Sequence, residues 1–194
     1  MLLRLLVFLL FVFAPIASAQ TGDGANGLFL VASPALIDPN FRQSVVLVTQ
    51  AADGSSVGFV LNRPGQRSLA QILPDNERMK RFTEPLYLGG PVEAAGLFAI
   101  FRAPVHPPGA LQVLDDLSFA LDPAVVERLL QAPPQRVRFF NGYAGWAPGQ
   151  LALELERGGW HLLNADPDIV FRKNMDGLWE ELIVRTRALT ASLR

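Results

Sequence analysis

The sequence predicts an α+β fold in a single domain. Several short runs are rich in β-branched and aromatic residues, as in Ser44–Gln50 (SVVLVTQ), which is typical of strands. Two Asp-Pro pairs, Asp122-Pro123 and Asp166-Pro167, are typical of helix starts. Strands and helices follow one another in no regular order and without internal repeats, which favours α+β over a doubly wound parallel sheet.

The first part of the domain is predicted to consist mainly of strands. Leu28–Ala32 and Ser44–Gln50 are apolar runs of strand length, and Ser33–Arg42 between them holds two prolines and is predicted to be irregular. The turn signal Ala52–Gly54 leads into Val57–Asn62. Therefore Ser44–Gln50 and Val57–Asn62 are predicted to pair as a hairpin.

The middle of the chain mixes short elements with turns. Ser68 is a candidate cap for a short helix over Leu69–Leu73, which Pro74 ends. Strands are predicted over Leu86–Leu88, Gly96–Phe101 and Leu111–Leu114, with the turn GGPVEAAG between the first two.

The second half alternates helices and strands. The helix that begins at Asp122-Pro123 is expected to run to about Ala132, because its four apolar side chains share one face and Pro133-Pro134 follows. The remaining elements are predicted as a strand over Arg136–Phe140, a helix over Pro148–Arg157, a strand over Trp160–Leu163, a short helix from Asp166 to about Arg172 and a final helix capped by Asp176.

The first residues have the features of a secretory signal. Leu5–Phe13 is an unbroken apolar run, and Ala17-Ser18-Ala19 fits the pattern that a signal peptidase reads. The run is shorter than the roughly 20 apolar residues that a spanning helix needs. We therefore predict a cleaved signal peptide over Met1–Ala19, a flexible spacer over Gln20–Asn26 and one domain over 27–194. The protein is then exported to the periplasm or secreted; the alternative is an uncleaved membrane anchor.

The composition excludes several classes of site. The chain carries 17 Lys and Arg against 18 Asp and Glu and has no basic run, so no direct nucleic-acid partner is expected. The absence of cysteine excludes disulfides, cysteine zinc sites, thiol nucleophiles and iron–sulfur clusters. His106 and His161 have no carboxylates in a metal-ligand spacing, so neither a metal nor another cofactor is expected. After signal cleavage, no integral membrane segment is expected.

Two patterns resemble known chemistry but lack its context. The run Gly22–Gly27 (GDGANG) matches a dinucleotide-binding fingerprint, but no strand precedes it and no helix follows. Ser44, His161 and Asp38 can be combined as a Ser-His-Asp triad, but a triad is defined by geometry rather than by sequence. No matched nucleophile and base stands out, so enzyme activity is not favoured.

Three polar segments each follow a predicted strand. They are Asn62-Arg63-Pro64, Gly89-Gly90-Pro91-Val92 and Asn141–Gln150. If their strands are neighbours that run in a common direction, the segments meet at one rim of the sheet, where binding sites usually lie.

In the binding interpretation, this rim holds a ligand or a partner. Arg63 can pair with an anionic group through its guanidinium. The amides of Gly149, Gln150 and Leu151, at a predicted helix start, can hold an anion. Tyr143 and Trp146 can stack on a flat ligand.

In the structural interpretation, which is favoured, the same residues only shape the segments. Glycines supply backbone angles that other residues refuse. Tyr143 and Trp146 close the end of the core with their polar groups paired, and Asn62 and Arg63 brace the segments together. Both interpretations concern the same candidate residues, which are Arg42, Asn62, Arg63, Gly89, Gly90, Gly142, Tyr143, Gly145, Trp146 and Gln150.

The ordered set of motifs resembles the YqgE/AlgH family of bacterial proteins. The matching stretches are FLVASPALIDPNFRQSVVLV, GFVLNRP, LYLGGPV, NGYAGWAPGQLALEL, GGW, DIVF and LW, which cover nearly all of Gly27–Val184 in the expected order. The matching motif positions are Pro34, Asp38, Phe41, Arg42, Asn62, Arg63, Pro64, Gly89, Gly90, Pro91, Gly142, Tyr143, Gly145, Trp146, Gly149 and Gln150.

The resemblance implies a fold but no reaction. It implies a single α+β domain with a mixed, barrel-like sheet and peripheral helices. It implies no catalytic or ligand-binding residues. The family's label of putative transcriptional regulator comes from one member linked to alginate synthesis. Family members are expected to be cytoplasmic and to begin near the FLVA strand, whereas this chain carries an apparent export signal. It also ends at TRALTASLR, without the further tail that the family implies.

These observations predict a non-catalytic binding or interaction module. Its partner is an unknown protein or small molecule. Two alternatives stay open: a transcriptional regulator, which the family label suggests, and an uncharacterised hydrolase or transferase.

Overall fold

The computed structural model describes residues 27–133 and 136–192. The predicted signal peptide, Met1–Ala19, and the predicted spacer, Gln20–Asn26, lie outside the described residues, so both stay predictions. The described part has a mixed α+β fold, which confirms the predicted fold class.

Ten strands form one sheet in the described part of the chain. The predicted strands are present; most have small shifts at their ends, and two of them extend into predicted turns. Pro64–Ser68 and Leu117–Ala120 are further strands that lack the alternation or length on which a prediction could rest. The strands are β1 Leu28–Ala32, β2 Val45–Gln50, β3 Ser56–Val60, β4 Pro64–Ser68, β5 Pro85–Leu88, β6 Val92–Arg102, β7 Leu111–Leu114, β8 Leu117–Ala120, β9 Val137–Trp146 and β10 Trp160–Asn164.

The sheet is mostly antiparallel and curls into a half-barrel. Its strands lie in the order β10-β1-β2-β3-β9-β6-β8-β7, and β5 pairs in parallel with β9 and antiparallel with β4. The predicted hairpin is confirmed, because Val48 lies opposite Gly58 in the antiparallel β2–β3 register. Where the sheet curls, the Gly27 N–H donates to the Val113 carbonyl at 2.8 Å, which brings β7 back to the start of β1.

Two predicted turns are partly strand in the structure. The segment GGPVEAAG is a turn only up to Pro91, because β6 begins at Val92. The predicted loop Asn141–Gln150 is also wrong in its first part, because β9 continues to Trp146. Glycine is present in both segments, but there it serves close packing more than chain reversal.

Gly142 explains how β9 continues through a glycine-rich segment. Its φ is +65°, a left-handed value that shifts the alternation of side chains by one residue. Phe140 and Tyr143 therefore both face the concave side of the sheet, whereas Ala144 and Trp146 face the outer side. The face change positions Trp146 for the site described below.

Five α-helices accompany the sheet in the described part. They are α1 Leu69–Ile72, α2 Pro123–Gln131, α3 Gln150–Glu156, α4 Pro167–Val170 and α5 Leu178–Ser192. The predicted caps Ser68, Asp122 and Asp166 are confirmed, since each side chain accepts a backbone N–H of its helix. The last helix begins directly after Gly177 rather than at Asp176. Within residues 27–133 and 136–192, no helix combines the length and apolar character needed to cross a membrane.

Three apolar clusters hold these elements together. The largest fills the concave side of the sheet, where Phe59 contacts Phe119 and Phe140 at ring-centroid distances of 4.8 Å, and it also includes residues of α4 and α5. A second packs α1 and α2 on the outer face of β6, β8 and β9. The third surrounds Trp146 and Trp160 on the outer face of β1–β3 and underlies α3. This third cluster positions the candidate site.

Candidate functional site

A cleft of about 430 Å³ lies between the loop that joins β1 to β2 and helix α3. Small-ligand sites typically measure about 300–1,000 Å³, so the cleft is large enough to hold a ligand or a partner side chain. Its walls come from the loop after β1, the turn before β6 and the segment from the end of β9 to the start of β10. Six motif positions line it: Asp38, Phe41, Pro91, Gly145, Trp146 and Gln150.

Two side chains that follow β3 hold the loop wall, residues 33–44. Asn62 accepts the Val45 N–H at 2.9 Å and donates to the Gln43 carbonyl at 2.9 Å. The Arg63 guanidinium donates to three backbone carbonyls of the loop, those of Pro39, Asn40 and Arg42. Asn62 and Arg63 therefore brace this loop, as the structural interpretation predicts, and the Arg63 guanidinium already has three backbone acceptors.

One carboxylate holds the helix wall of the cleft. A single oxygen of Glu154 accepts the indole N–H of Trp146 at 3.0 Å and that of Trp160 at 2.9 Å. Its other oxygen accepts from the Gln150 side-chain amide at 3.0 Å. Since α3 has no fully buried residue, these hydrogen bonds supplement the packing of its two half-buried leucines.

Phe41 joins the loop wall to the two tryptophans. Its ring is stacked on Trp146 at a centroid distance of 6.0 Å and meets Trp160 edge-on at 5.6 Å. Rings at such distances are in direct contact, and both tryptophans are only 4% exposed. The three rings therefore form a closed floor, with no gap between them for a flat ligand.

The Glu154 side chain carries a negative charge at neutral pH. Burial alone would raise its pKa, but hydrogen bonds from Trp160, Trp146 and Gln150, with the charge of Arg157, outweigh burial and lower the pKa below its ordinary value. The cleft is thus apolar at its floor and has fixed charges at its border.

The three segments predicted to share a rim meet only in part. The Gly89 N–H donates to the Asn141 carbonyl at 2.8 Å, and a Cβ on Gly142 would lie less than 3.0 Å from the Gly90 carbonyl oxygen. These glycines permit close backbone packing. The other end of the segment, Gly145–Gln150, lies in the cleft instead. The strands do not share the direction that the prediction required, because β3 runs antiparallel to β9.

Tyr143 and Trp146 do not form a common wall, which corrects the stacking hypothesis. Tyr143 packs edge-on against Phe98 at 5.2 Å on the concave side, whereas Trp146 lies on the outer side. Residues three apart in a strand face opposite ways. Burial, with the charge and hydrogen bond of Glu93, raises the pKa of the Tyr143 hydroxyl.

One amide of the predicted anion seat at the start of α3 is already used. The helix begins at Gln150 rather than at Pro148, and the Gln150 N–H donates to the Ala147 carbonyl at 3.0 Å. Gly149 occupies the cap position with a φ of +79°. The Gln150 amide is therefore used within the turn.

The structure separates the residues of the Ser-His-Asp combination. The Ala32 N–H donates to the Ser44 carbonyl, whereas His161 lies opposite Val31 in the β1–β10 register. Adjacent residues of a strand face opposite sides, so Ser44 and His161 lie on opposite faces of the sheet. Asp38 lies in the β1–β2 loop. The triad hypothesis is therefore wrong.

Another serine contacts a histidine in a part of the fold that the sequence does not single out. His106 Nδ1 lies 2.5 Å from Ser118 Oγ. Ser118 is only 1% exposed, so its hydroxyl is closed to a substrate and the contact is interpreted as core packing. Among residues 27–133 and 136–192, no group of three or more His, Asp or Glu side chains could hold a metal ion.

Arg138 is a structural residue that the sequence analysis missed. It is the largest fully buried side chain of the described residues. Its guanidinium donates to the carbonyls of Val170 at 2.6 Å and Arg172 at 2.9 Å, and lies 4.5 Å from the Tyr87 ring centroid. Glu84, half exposed, is 3.4 Å away. Arg138 therefore ties the turn after α4 to β9.

Comparison with known sequences identifies relatives over nearly the whole domain. The model of the AlgH-like sequence family matches residues 29–189. A UPF0301 protein of Anaeromyxobacter dehalogenans (strain 2CP-C) is 36% identical over 177 residues, which cover 84% of this chain and 90% of the relative. A UPF0301 protein of Mycobacterium bovis (strain BCG / Pasteur 1173P2) is 34% identical over 172 residues, which cover 86% of this chain and 84% of the relative.

Two solved structures share the fold. The AlgH protein from Pseudomonas aeruginosa, determined in solution, matches with a TM-score of 0.68 and 28% identity, covering 86% of this chain and 90% of its own. The crystal structure of a Corynebacterium diphtheriae protein matches with a TM-score of 0.65 and 25% identity, covering 83% and 86% respectively. The names of these proteins state no reaction or ligand, so the regulator and enzyme alternatives stay predictions.

Proposed function

This chain belongs to the YqgE/AlgH family, and on that premise we propose that it is a non-catalytic interaction module whose cleft binds an apolar segment of a partner protein. The observation that carries the proposal is the exposure of Ile37. Its side chain is 88% exposed, although it stands between Leu36 and Asp38, which both line the cleft. A large aliphatic side chain held in water beside an apolar cleft favours a protein contact.

The loop that carries Ile37 is organised before any partner arrives. Arg63 binds three of its carbonyls and Asn62 binds its end, so its backbone is already fixed. Ordering a loop on binding opposes association, and a preorganised loop avoids that cost. Burial of Ile37 then contributes to affinity at about 25 cal/mol per Å² of apolar area.

The opposite side of the cleft offers a matching apolar group. Leu153 of α3 is half exposed and adjoins Glu154, which lines the cleft. Ile37 and Leu153 are thus exposed chain neighbours of residues that line the cleft, which has an aromatic floor and Asp38 and Arg157 at its border. An apolar centre with a charged border is the usual pattern of a protein interface. Because the floor is closed, an aliphatic partner side chain fits this site better than a flat aromatic ligand.

Photocrosslinking in cells tests this proposal. Ile37 is replaced by a photoreactive amino acid, and Val105 is the matched control, since it is apolar and 77% exposed but lies on the loop between β6 and β7. We expect a discrete protein adduct from position 37 and none from position 105. The same adducts from both positions would overturn the proposal.

Affinity measurements then test the contact directly. The crosslinked partner is purified and titrated by calorimetry against the wild type, Ile37→Asp and Val105→Asp. Ile37→Asp should abolish binding without changing the melting temperature, and Val105→Asp should bind like the wild type. Unchanged affinity in Ile37→Asp would contradict the assignment of the cleft.

We infer in addition that the partner is met outside the cytoplasm. Leu5–Phe13 and Ala17-Ser18-Ala19 carry the pattern of an export signal. The measurement is the intact mass of the native protein after cell fractionation. A chain that begins at Gln20, in the periplasm or the medium, is the expected result. A processed or leaderless chain found in the cytoplasm would contradict it.

A further inference from the structure

The outer edge of β10 is open. At one end of β10, the Gly159 carbonyl accepts the Ser33 N–H at 2.9 Å. At the other end, the Ala165 N–H donates to the Gly27 carbonyl at 3.2 Å. Hydrogen-bonded positions alternate along an antiparallel pair, so the odd-numbered residues of β10 face β1. The even-numbered residues of β10 are Trp160, Leu162 and Asn164. Their backbone N–H and C=O groups point away from β1 and have no partner among the described residues.

This edge lacks the features that usually protect a terminal strand. Such strands commonly carry charged side chains, proline or a bulge that prevents pairing with another chain. β10 reads WHLLN, and its register with β1 is regular over all five residues. At the other end of the sheet, β7 has a register shift between Gln112 and Leu114. Of these two ends of the described strand order, the β10 end is therefore the regular one, and its strand carries no Asp, Glu, Lys or Arg.

We propose that two copies of this chain form a dimer by antiparallel pairing of their β10 strands about Leu162. Leu162 is the centre of the five-residue strand, and its side chain is 45% exposed. A two-fold axis at this position pairs Leu162 with its own copy and Trp160 with Asn164. Such an interface is self-complementary and closed, as in most homodimers. The proposal is independent of the cleft's function.

Charges at the ends of β10 favour a second copy as the occupant. Glu156 and Arg157, both exposed, precede the strand, and Asp166 and Asp168 follow it. Asp168 is exposed and has only a long contact, 3.8 Å, with Arg102. Antiparallel pairing places Arg157 of each strand near the acidic end of the other, twice by symmetry, and Glu156 offsets part of this attraction. Parallel pairing would place like charges together, so the charge pattern also selects the direction of the pair.

The mass of the purified chain in solution tests the dimer. We expect light scattering to give twice the monomer mass for the wild type at micromolar concentration. Leu162→Lys places a protective charge on the edge and should halve the mass. Leu153→Lys is the matched control, since Leu153 is 52% exposed but lies on α3, and it should remain dimeric. A wild type that stays monomeric, or a Leu162→Lys variant that stays dimeric, overturns the proposal.

A cysteine crosslink tests the same geometry without relying on a disruptive variant. The chain has no cysteine, so Leu162→Cys introduces its only thiol. Hydrogen-bonded pairs across antiparallel strands have Cα atoms about 5.5 Å apart, within the disulfide range of about 4.4–6.8 Å. Mild oxidation should crosslink Leu162→Cys into covalent dimers and leave Leu153→Cys monomeric on a denaturing gel. Equal crosslinking of the two variants, or none of either, overturns the proposed pairing.

Discussion

Trp146 and Trp160 meet edge to face, with ring centroids 6.1 Å apart, and donate their indole N–H groups to the same oxygen of Glu154. Trp146 is the last residue of β9 and Trp160 is the first residue of β10. One carboxylate on α3 therefore links the end of one strand to the start of the next. The floor of the cleft depends on this link.

Removal of the Glu154 carboxylate should destabilise the domain. Glu154→Ala leaves two buried indole N–H groups without their acceptor, and we expect a loss of about 2–4 kcal/mol in the free energy of unfolding. Urea denaturation followed by tryptophan fluorescence measures the loss. Glu156→Ala, at an exposed position of the same helix, is the control and should change stability by less than about 0.5 kcal/mol. Equal losses in the two variants would show that the shared acceptor contributes nothing.

The contribution of Glu154 to the free energy of unfolding should decrease as the pH falls. Its pKa in the folded chain is lowered from the ordinary value of 4.5, so the folded state binds fewer protons than the unfolded state below that pH. The stabilisation is complete above the unfolded pKa and is lost as pH falls through the folded pKa. The stability difference between wild type and Glu154→Gln should be constant near neutral pH and shrink below 4.5. A difference that grows on acidification would refute this sign.

The comparison with Glu154→Gln is needed because other carboxylates titrate in the same range. Hydrogen bonds from Arg172 lower the pKa of Glu181, for example. Glu181 is present in both proteins, so its contribution cancels in the difference.

Loss of the Arg63 guanidinium should loosen the β1–β2 loop. Arg63→Ala removes the donors to three carbonyls, and we expect faster amide exchange over 33–44 and a loss of about 1–3 kcal/mol. Arg63→Lys should rescue little, because an ammonium cannot reproduce the planar fork. Arg42→Ala is the control, since Arg42 contributes its backbone carbonyl and N–H to the loop, and alanine retains both. If exchange in the loop responds equally to Arg42→Ala and Arg63→Ala, the brace is not the guanidinium.

Two glycines with similar backbone angles should respond differently to alanine. Gly142 and Gly158 have φ of +65° and +74°. A Cβ on Gly158 meets nothing within 4 Å, so Gly158→Ala should cost only the left-handed strain of about 1–2 kcal/mol. A Cβ on Gly142 meets the Gly90 carbonyl, so Gly142→Ala should cost more than about 3 kcal/mol or prevent folding. Thermal unfolding compares the two variants. Similar melting temperatures would show that the backbone segments at Gly90 and Gly142 can move apart to accept the Cβ.

Elements with local signals could be predicted from the sequence, and elements that depend on distant contacts could not. Asp122 followed by proline marks the start of α2 within two residues. The continuation of β9 beyond Asn141 depends on the conformation of Gly142 and on its approach to Gly90, which no local pattern contains. From the sequence alone, the glycines therefore predict a turn.

The candidate site shows the same limit. The bracing role of Asn62 and Arg63 was among the predicted possibilities, but the meeting of Phe41 with Trp146 and Trp160 was not. Phe41 is far from both tryptophans in the chain, and a glycine-aromatic motif does not indicate which distant residues it will contact. Arg138 offered one signal, since it alternates with Phe140 in RVRFF, but its acceptor carbonyls lie 32 and 34 residues away.

The position of β9 in the sheet also determines when this chain can fold. β9 lies between β3 and β6, so among the described strands it is the one that joins β10-β1-β2-β3 to β6-β8-β7. A ribosome-bound chain that ends before Val137 lacks the strand that pairs with both β3 and β6, and Phe59 lacks its contact with Phe140. Pairing between strands distant in the chain makes folding slow. The domain therefore completes its fold only after most of the chain has been synthesised, and until then chaperones and other factors that recognise unfolded segments have access to it.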